Sequence, residues 1–503
     1  MPKRRLRVFR LPGQLVSDDR RVIPRYLDFH HPPRVRSVFR RTLKIPTRRI
    51  PALLKDVEAS FQGRHRDLRH AFGENYRQAA RHVRNIGEIS ETHKLLIGAY
   101  FTMEYSIESA ALFNPSMVPH PDQSGLDDDD LRFLMSLRAT GEGHVSSIVF
   151  RRGVIDGGAK INFDPPPRYA YSARPIPDKK LDKALFHRKL HEHNVKRDPV
   201  DWVLDHLPET FTARQLNAAL DNLAKEKGRP PGFRRMKNNM LWLAQANYEL
   251  RFPPDCKPSE TVIFPATQNE ANGIEDLRLV RFVDDDGEVT YYGTYTAFDG
   301  LRTHPMMLET ADFHTFHVFP LSGRYAKNKG AALFPRRVDG QYCMLSRHDG
   351  ENLFLMRSGD LHVWNVSQKL QTPSEDWELV QLGNCGSPLE TDAGWLVITH
   401  AVGPMRRYCI GASLLDLRDP SRVIGRLRQP LLVPTDDERE GYVPNVVYSC
   451  GSVIHNGRLI IPYAMSDSRT AFAMVDERTL LDELTTAPNR VRKRGSRKTT
   501  TKH

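Results

Sequence analysis

From Pro51 to about Phe113, apolar positions such as Leu53, Leu54, Val57 and Phe61 recur at intervals of three and four with few breakers, the spacing of amphipathic helices. This stretch is expected to form an N-terminal helical region. Near Asn114-Pro115-Ser116 the pattern changes to short apolar or aromatic runs separated by Gly, Asp and Asn turns, which predict strands and hairpins. Five runs share one build: Phe133 to Arg138, Tyr291 to Ala297, Tyr342 to Arg347, Trp395 to His400, and Leu459 to Asp467. The last four recur about every 50 to 65 residues, and several end in a polar or ionisable residue followed by turn residues. That period suits β-propeller blades, each a small antiparallel sheet covering its neighbour's face. A β-sandwich would share the alternation but not the ionisable residue at corresponding strand ends. Between about 177 and 250 the pattern turns helical again, with a capping box at Thr212-Ala213-Arg214-Gln215 ahead of Leu216, Leu220 and Leu223. The expected fold class is mainly β: a five-bladed β-propeller with an N-terminal helical region and a helical insertion.

Charge divides the chain further. The 503 residues are 39% hydrophobic and 27% charged, enough for two or three cores. The net charge of +13 sits in the ends: residues 1–50 hold 15 Lys/Arg against 3 Asp/Glu, and residues 490–503 hold 7 against none. The body between them is net negative, which argues against a surface that tracks a phosphate backbone and makes nucleic acid an unfavoured partner. The expected organisation is a basic N-terminal arm (1–50), the helical region (51–113), a propeller catalytic domain (114–484) with the insertion at about 177–250, and a basic C-terminal tail (485–503). Both ends read as solvated tails. The basic start lacks the apolar stretch of about 7 to 15 residues of a secretory signal. No window approaches the roughly 18 apolar residues of a membrane span. Five cysteines without CxxC spacing fit buried thiols in a reducing compartment, so a cytoplasmic location is expected.

The densest chemistry lies in Asn272-Gly273-Ile274-Glu275-Asp276-Leu277-Arg278. In an extended segment neighbouring side chains point to opposite faces, so one acid of Glu275 and Asp276 is expected to face a cavity. His187, His191 and His193 have a spacing that could present imidazoles to a metal, but Arg188, Lys189, Glu192 and Lys196 surround them, so a solvated face is expected and no metal is assigned. Asp127 to Asp130 lack the alternating ligands of a calcium loop. The basic cluster Arg234-Arg235-Met236-Lys237 is too short for a DNA-reading helix. Phosphate-loop, dinucleotide and serine-hydrolase motifs are absent from the sequence, and no cofactor is expected. What remains is a set of polar residues ending the presumed inner strands: Arg138, Arg347, His400 and Asp467. Converging on a channel, they could hold a hydroxyl-rich or anionic ligand; a structural ring of salt bridges is the alternative.

Taken together, these residues resemble glycoside hydrolase family 130, the inverting mannoside phosphorylases and β-mannosidases. The resemblance runs from about Asn114 to Leu484 outside the insertion. Its carriers are Asn114-Pro115-Ser116, Gly273 to Arg278, Leu333-Phe334-Pro335-Arg336 with Met344 to Arg347, Gly394-Trp395-Leu396, Leu414-Leu415-Asp416 with Asp419-Pro420, Gly441 to Val447, and Tyr463 to Asp467. It implies a five-bladed propeller with Asp276 as general acid, Asn114, Ser116, Arg138 and Asp467 holding the mannosyl unit, and Arg347 contacting phosphate. Two departures stand out. The family's usual Glu-Asp-Pro-Arg is here Glu275-Asp276-Leu277-Arg278, and the stretch after Arg347 carries Asp349 and Glu351 where another arginine would be sought. Phosphorolysis needs one acid and a cationic cradle, which Arg347, Lys329 and His400 could supply. Inverting hydrolysis needs a second carboxylate roughly 6.5 to 9.5 Å from the first, for which Glu390 or Glu440 is the candidate. The expected partners are a β-mannoside or manno-oligosaccharide and inorganic phosphate, with a homo-oligomer also compatible with the sequence. A β-mannosidase and a non-catalytic sugar-binding propeller stay open as alternatives.

Overall fold

The computed structural model describes residues 6–176, 179–192, 197–226, 228–229 and 231–486. His193 and the stretch 487–503 of the expected basic tail lie outside the described residues, as does the side chain of His191.

Five sheets of four to six strands, antiparallel but for the pairing of Tyr171–Ser172 with Thr261–Ile263, carry most of the β structure, and each of the five runs lies in a different one. The first pairs Ala111–Pro119, Leu131–Thr140 and Ser146–Ile155, with Thr261–Ile263 and Tyr171–Ser172 beyond. The second runs from Ile274–Val283 through Val289–Phe298, Thr303–Thr310 and Thr315–Pro320 to Tyr248–Arg251. The third holds Lys329–Leu333, Tyr342–Arg347, Leu353–Ser358 and Val366–Gln371. The fourth holds Gln381–Asn384, Gly394–Val402, Tyr408–Leu415 and Val423–Arg426, and the fifth Val447–Tyr448, Arg458–Met465, Arg469–Asp476 and Val8–Leu15. Each run thus occupies the second strand of its sheet, not the first; another strand precedes it and presents its own polar residues.

The reason these second strands are apolar on both faces is visible in the packing. Side chains alternate along a strand, so a strand between two layers must be apolar at every position. On Gly394–Val402, Trp395 and Val397 pack with Leu345 and Leu355 of the third sheet, whereas Leu396 and Ile398 pack with Ile461 and Val475 of the fifth. On Leu131–Thr140, Leu134 joins Tyr295 and Met306 of the second sheet, and Phe133 and Met135 join Ile460 and Phe472 of the fifth. Met344 of the third sheet packs with Val280 and Met307 of the second. Five apolar clusters therefore fill five inter-sheet layers, and each of these sheets packs against two others.

Several expected boundaries shift. Residues 8–50 are not a solvated arm: Val8–Leu15 pairs antiparallel with Arg469–Asp476, and Arg10 is clamped on Glu438 by two hydrogen bonds of 2.8 Å. The backbone of Val8–Leu15 completes the fifth sheet, which net charge alone does not reveal. Helices begin at Pro32–Leu43, continue through Ile50–Phe61, Leu68–Ala80 and Glu91–Tyr100, and end before residue 113, because Thr102–Ser106 pairs with Val22–Tyr26. The insertion has its own core, including Phe186, Val203, Phe211, Leu220, Met240 and Leu243. Its capping box forms as expected: Gln215 N–H donates to Thr212 Oγ1 (3.2 Å) and Thr212 N–H to Gln215 Oε1 (2.9 Å). The insertion ends by Asn247, since Tyr248–Arg251 belongs to the second sheet. His187 faces Asp201 at 3.0 Å. Among the described residues, no group of three His, Cys, Asp or Glu side chains converges as a metal site.

Two buried charges give measurable consequences. Glu108, fully buried, is shared by Arg21 (2.7 Å) and Arg151 (2.7 Å), tying the N-terminal segment to the first sheet. Removing the carboxylate leaves two cations facing each other without compensation, so Glu108→Ala is expected to cost about 3–5 kcal/mol in denaturant unfolding. Lys189 of the insertion is 1% exposed, and burial pushes its amine down to about 7. Its folded-state value lies below the unfolded one, so the unfolded chain holds the extra proton between pH 7 and about 10.5, and stability rises with pH through that window. Lys189→Met is expected to raise the melting temperature at pH 7 and to flatten this rise.

Candidate active site

The first strands of the sheets do not run straight. Pairing slips between Phe113 and Ser116 in the first sheet, between Glu275 and Arg278 in the second, and between Lys329 and Ala332 in the third. At these bulges Asn114 (φ 50°), Asp276 (φ 58°) and Gly330 (φ 87°) adopt the left-handed region, which Asn, Asp and Gly enter most readily. At the second of these, Leu277 follows Asp276 and lays its side chain over Gly293; a Cβ at that glycine would stand 2.6 Å from it.

The bulge lets one arginine reach both Glu275 and Asp276, although of the two only Asp276 lines the cavity described below. Period-two alternation fails where the backbone enters the left-handed region, and both carboxylates meet Arg138: Nη2 donates to Glu275 Oε1 (3.1 Å) and Nη1 to Asp276 Oδ1 (3.4 Å). Asn114 Nδ2 donates to the same Asp276 oxygen at 2.7 Å. Glu275 reaches on to Lys329. Arg278, buried behind them, donates to the Asp276 carbonyl (3.2 Å) and to the Tyr448 hydroxyl. Burial pushes the Asp276 carboxyl up, but the charges of Arg138, Arg278 and Lys329 and the Asn114 amide outweigh it and hold it below the ordinary aspartate range.

Asp276 opens on a cavity of about 170 Å³ lined from all five sheets: Asn114 and Arg138 from the first, Asp276 from the second, Lys329 and Arg347 from the third, Gln381, His400, Arg406 and Tyr408 from the fourth, and Tyr448 and Asp467 with Val443 and Val446 from the fifth. The lining is polarised. Its two carboxylates, Asp276 and Asp467, come from the second and fifth sheets, and the wall built by the third and fourth sheets carries cations and no carboxylate. Burial, then the nearby Asp276 charge, pushes the Asp467 carboxyl up to about 6.

Not every sequence candidate arrives here. Ser116 is fully buried and its Oγ accepts the Leu279 N–H at 3.0 Å, so it braces the bulge and does not line the cavity. His400 lines the cavity without charge: Nδ1 lies 2.9 Å from the Asn384 carbonyl and Nε2 3.3 Å from Gln381 Nε2, and burial with the neighbouring Arg347 and Arg278 holds the imidazole well below its usual range. A donor at Nδ1 and an acceptor at Nε2 define one neutral tautomer. Glu390 lies elsewhere, in a cavity of about 460 Å³ lined by Val118, Leu279, Pro335 and Val453, where it forms a bidentate pair with Arg336 (2.6 and 2.9 Å). Glu440 is exposed and does not line the smaller cavity. Asp349 is spent closing its hairpin, accepting from the N–H groups of Glu351 and Asn352. Gln381, Arg406, Tyr408 and Tyr448 were not singled out by sequence. Arg406 lies on a hairpin tip and Tyr448 at the end of a two-residue strand, positions without a periodic signal.

A small polar cavity at the meeting point of five sheets, with one acid in the field of three cations, has the character of a site for a hydroxyl-rich or anionic ligand. Residues 255–486 match the family model Glyco_hydro_130, described as beta-1,4-mannooligosaccharide phosphorylase. The chain is 34% identical over 214 residues to the 1,2-beta-oligomannan phosphorylase of Thermoanaerobacter sp. strain X514, covering 42% of this chain and 70% of that protein. It is 30% identical over 212 residues to the Beta-1,4-mannooligosaccharide phosphorylase of Ruminococcus albus, covering 39% and 62%. Among solved structures, the Beta-1,2-Mannobiose phosphorylase of Listeria innocua in complex with beta-1,2-mannobiose aligns with 76% of this chain and 93% of that one at TM-score 0.45 and 20% identity. The chain belongs to glycoside hydrolase family 130.

The raised Asp467 carboxyl makes a pH-dependent prediction. Its folded-state value lies above the unfolded one, so the native state holds the extra proton between about pH 4 and pH 6 and stability falls as pH rises through that window. Asp467→Asn is expected to stabilise the fold at pH 7.5 by roughly 2–3 kcal/mol, a gain that vanishes below about pH 4 in urea titrations.

Proposed function

We propose that the protein is an inverting glycoside phosphorylase that cleaves a β-mannoside, such as a manno-oligosaccharide, with inorganic phosphate and releases a mannose 1-phosphate. One observation carries this: the third- and fourth-sheet wall of the cavity offers Arg347 and Arg406 and no carboxylate to activate water. The expected bases Glu390 and Glu440 stand outside it. Relatives named as β-mannoside phosphorylases support the same chemistry.

In this reading Asp276 delivers the proton to the glycosidic oxygen, by relay through a sugar hydroxyl as in the family's phosphorylases. Asn114, Arg138 and Asp467 hold the mannosyl unit. Phosphate attacks the anomeric carbon from the opposite face, so a β-mannoside yields the α-configured sugar phosphate. The five sheets close into a five-bladed propeller whose axis ends in the cavity. Five buried, unpaired cysteines suit a reducing compartment, and on that ground we place the enzyme in the cytoplasm. Among the described residues, no helix is long and apolar enough to cross a membrane.

A hydrolytic alternative rests on Asp467, the other carboxylate of the cavity, with its acidity shifted toward that of a general base. Incubation with β-1,2- and β-1,4-mannobiose with and without phosphate separates the two. Phosphate-dependent mannose 1-phosphate is expected; phosphate-independent mannose would establish hydrolysis in its place. Asp276→Asn should lower turnover roughly 10²–10⁴-fold in either case, and near-wild-type turnover in that variant would remove Asp276 from the acid role.

A further inference from the structure

The cations of the cavity are not equally free. Arg138 is held by Glu275 and Asp276, and Lys329 by Glu275. Arg278 donates to Tyr448 and a backbone carbonyl deeper in the protein. Arg347 donates to the Gly350 carbonyl (2.9 Å), makes no ion pair among the described residues, and keeps a buried Nε without a partner. Arg406 is exposed and has neither an ion pair nor a side-chain hydrogen bond among the described residues, yet it lines the same cavity.

How Arg406 gets there is unusual. The hairpin between Gly394–Val402 and Tyr408–Leu415 turns through Met405 (φ 57°) and Arg406 (φ 54°), two consecutive non-glycine residues in the left-handed region. The corresponding hairpin of the first sheet, between Leu131–Thr140 and Ser146–Ile155, makes the same turn with Gly143 (φ 67°) and His144 (φ 59°). Both close alike, Gly141 N–H on the Val145 carbonyl (3.2 Å) and Gly403 N–H on the Arg407 carbonyl (3.0 Å). Glycine meets the first left-handed position at no steric cost, whereas Met405 is strained there by its Cβ and leaves its side chain 89% exposed. No packing of that side chain offsets the strain. What the turn does achieve is to bring the next residue, Arg406, to the cavity.

We propose that Arg406 is a phosphate-binding and specificity-determining residue of this enzyme, closing on the anion from the solvent side while Arg347 holds it from within. The inference rests on the phosphorylase reading above. Two guanidinium forks from adjacent sheets can each donate two N–H groups to one dianion, and neither has to break an ion pair to do so. The uncharged His400 and the lysine held by Glu275 leave that task to them. Asp467 is the rival partner, since it lies within electrostatic reach of Arg406; pairing there would make Arg406 a sugar-side residue.

Steady-state kinetics of the full chain, varying phosphate and mannobiose separately, distinguishes these roles. Arg406→Ala is expected to raise KM for phosphate at least tenfold while leaving KM for the mannoside within twofold, with Arg406→Lys intermediate because a point charge replaces a fork. Phosphate should also raise the melting temperature of the wild type and lose that effect in Arg406→Ala, a readout that confirms the variant is folded. An unchanged phosphate KM, or a rise confined to the mannoside KM, overturns the proposal. Wild-type turnover that needs no phosphate overturns the phosphorylase reading itself and this proposal with it, whereas phosphate-dependent wild-type turnover with an indifferent Arg406→Ala overturns only the role of Arg406.

Discussion

The guanidinium of Arg138 is the interaction on which the site depends. Two adjacent carboxylates can share one side of a strand only if the backbone leaves the extended region and a cation offsets their mutual repulsion. The bulge supplies the first condition through the left-handed Asp276, and Arg138 supplies the second by reaching both acids from the neighbouring sheet. Neither device works alone. A straight strand would turn one acid away, and a bulge without the arginine would leave Asp276 with only the Asn114 amide as a side-chain partner and Glu275 with only Lys329. The contact also ties the first and second sheets together at the cavity, so the geometry of the cavity and the sheet packing are set by the same few atoms.

The surrounding architecture makes that geometry stiff. Second strands apolar on both faces lock each sheet between two neighbours, leaving the first strands free to carry bulges and polar residues at the cavity. The final layer, between the fifth and first sheets, is strengthened from outside by the N-terminal strand. Val8–Leu15 pairs along Arg469–Asp476, and Arg10 reaches Glu438, which also accepts from the Tyr463 hydroxyl (2.6 Å) beneath. Chain ends far apart in sequence thereby complete a single sheet.

Much of this was legible in the sequence because it rests on local patterns. Unbroken apolar runs such as Trp395 to Ile398 predict strands buried on both faces, and Thr212 with Gln215 predicts a helix start from two side chains. Asp276 and Arg138 could be named from motif and strand-end position. Illegible features depend on through-space pairing or on departures from ideal backbone. Basic residues around Val8 concealed a strand whose partner lies more than 450 residues away. Alternation allowed one acid of the pair to face the cavity but could not show that a bulge brings Glu275 onto the same arginine. Glu390 looked like a free base until Arg336 occupied it, and His400 looked cationic until its two hydrogen bonds fixed a neutral tautomer.

The charge balance around Asp276 bears on how an acid can operate here. Without ligand, Arg138, Arg278 and Lys329 favour its ionised form, and a general acid must hold a proton. The group nearest in acidity to a proton reservoir is Asp467, and it lies across the same cavity. A phosphate dianion between Arg347 and Arg406 would add negative charge beside Lys329 and Arg347 and weaken the field that keeps Asp276 ionised. Anion and proton would then bind with positive coupling, each favouring the other, as linkage requires of any two ligands that share a field. A water molecule in the same position brings no charge and leaves Asp276 deprotonated. With an anion held at that cationic wall, the electrostatics of Asp276 fit a phosphorolytic site more closely than a hydrolytic one.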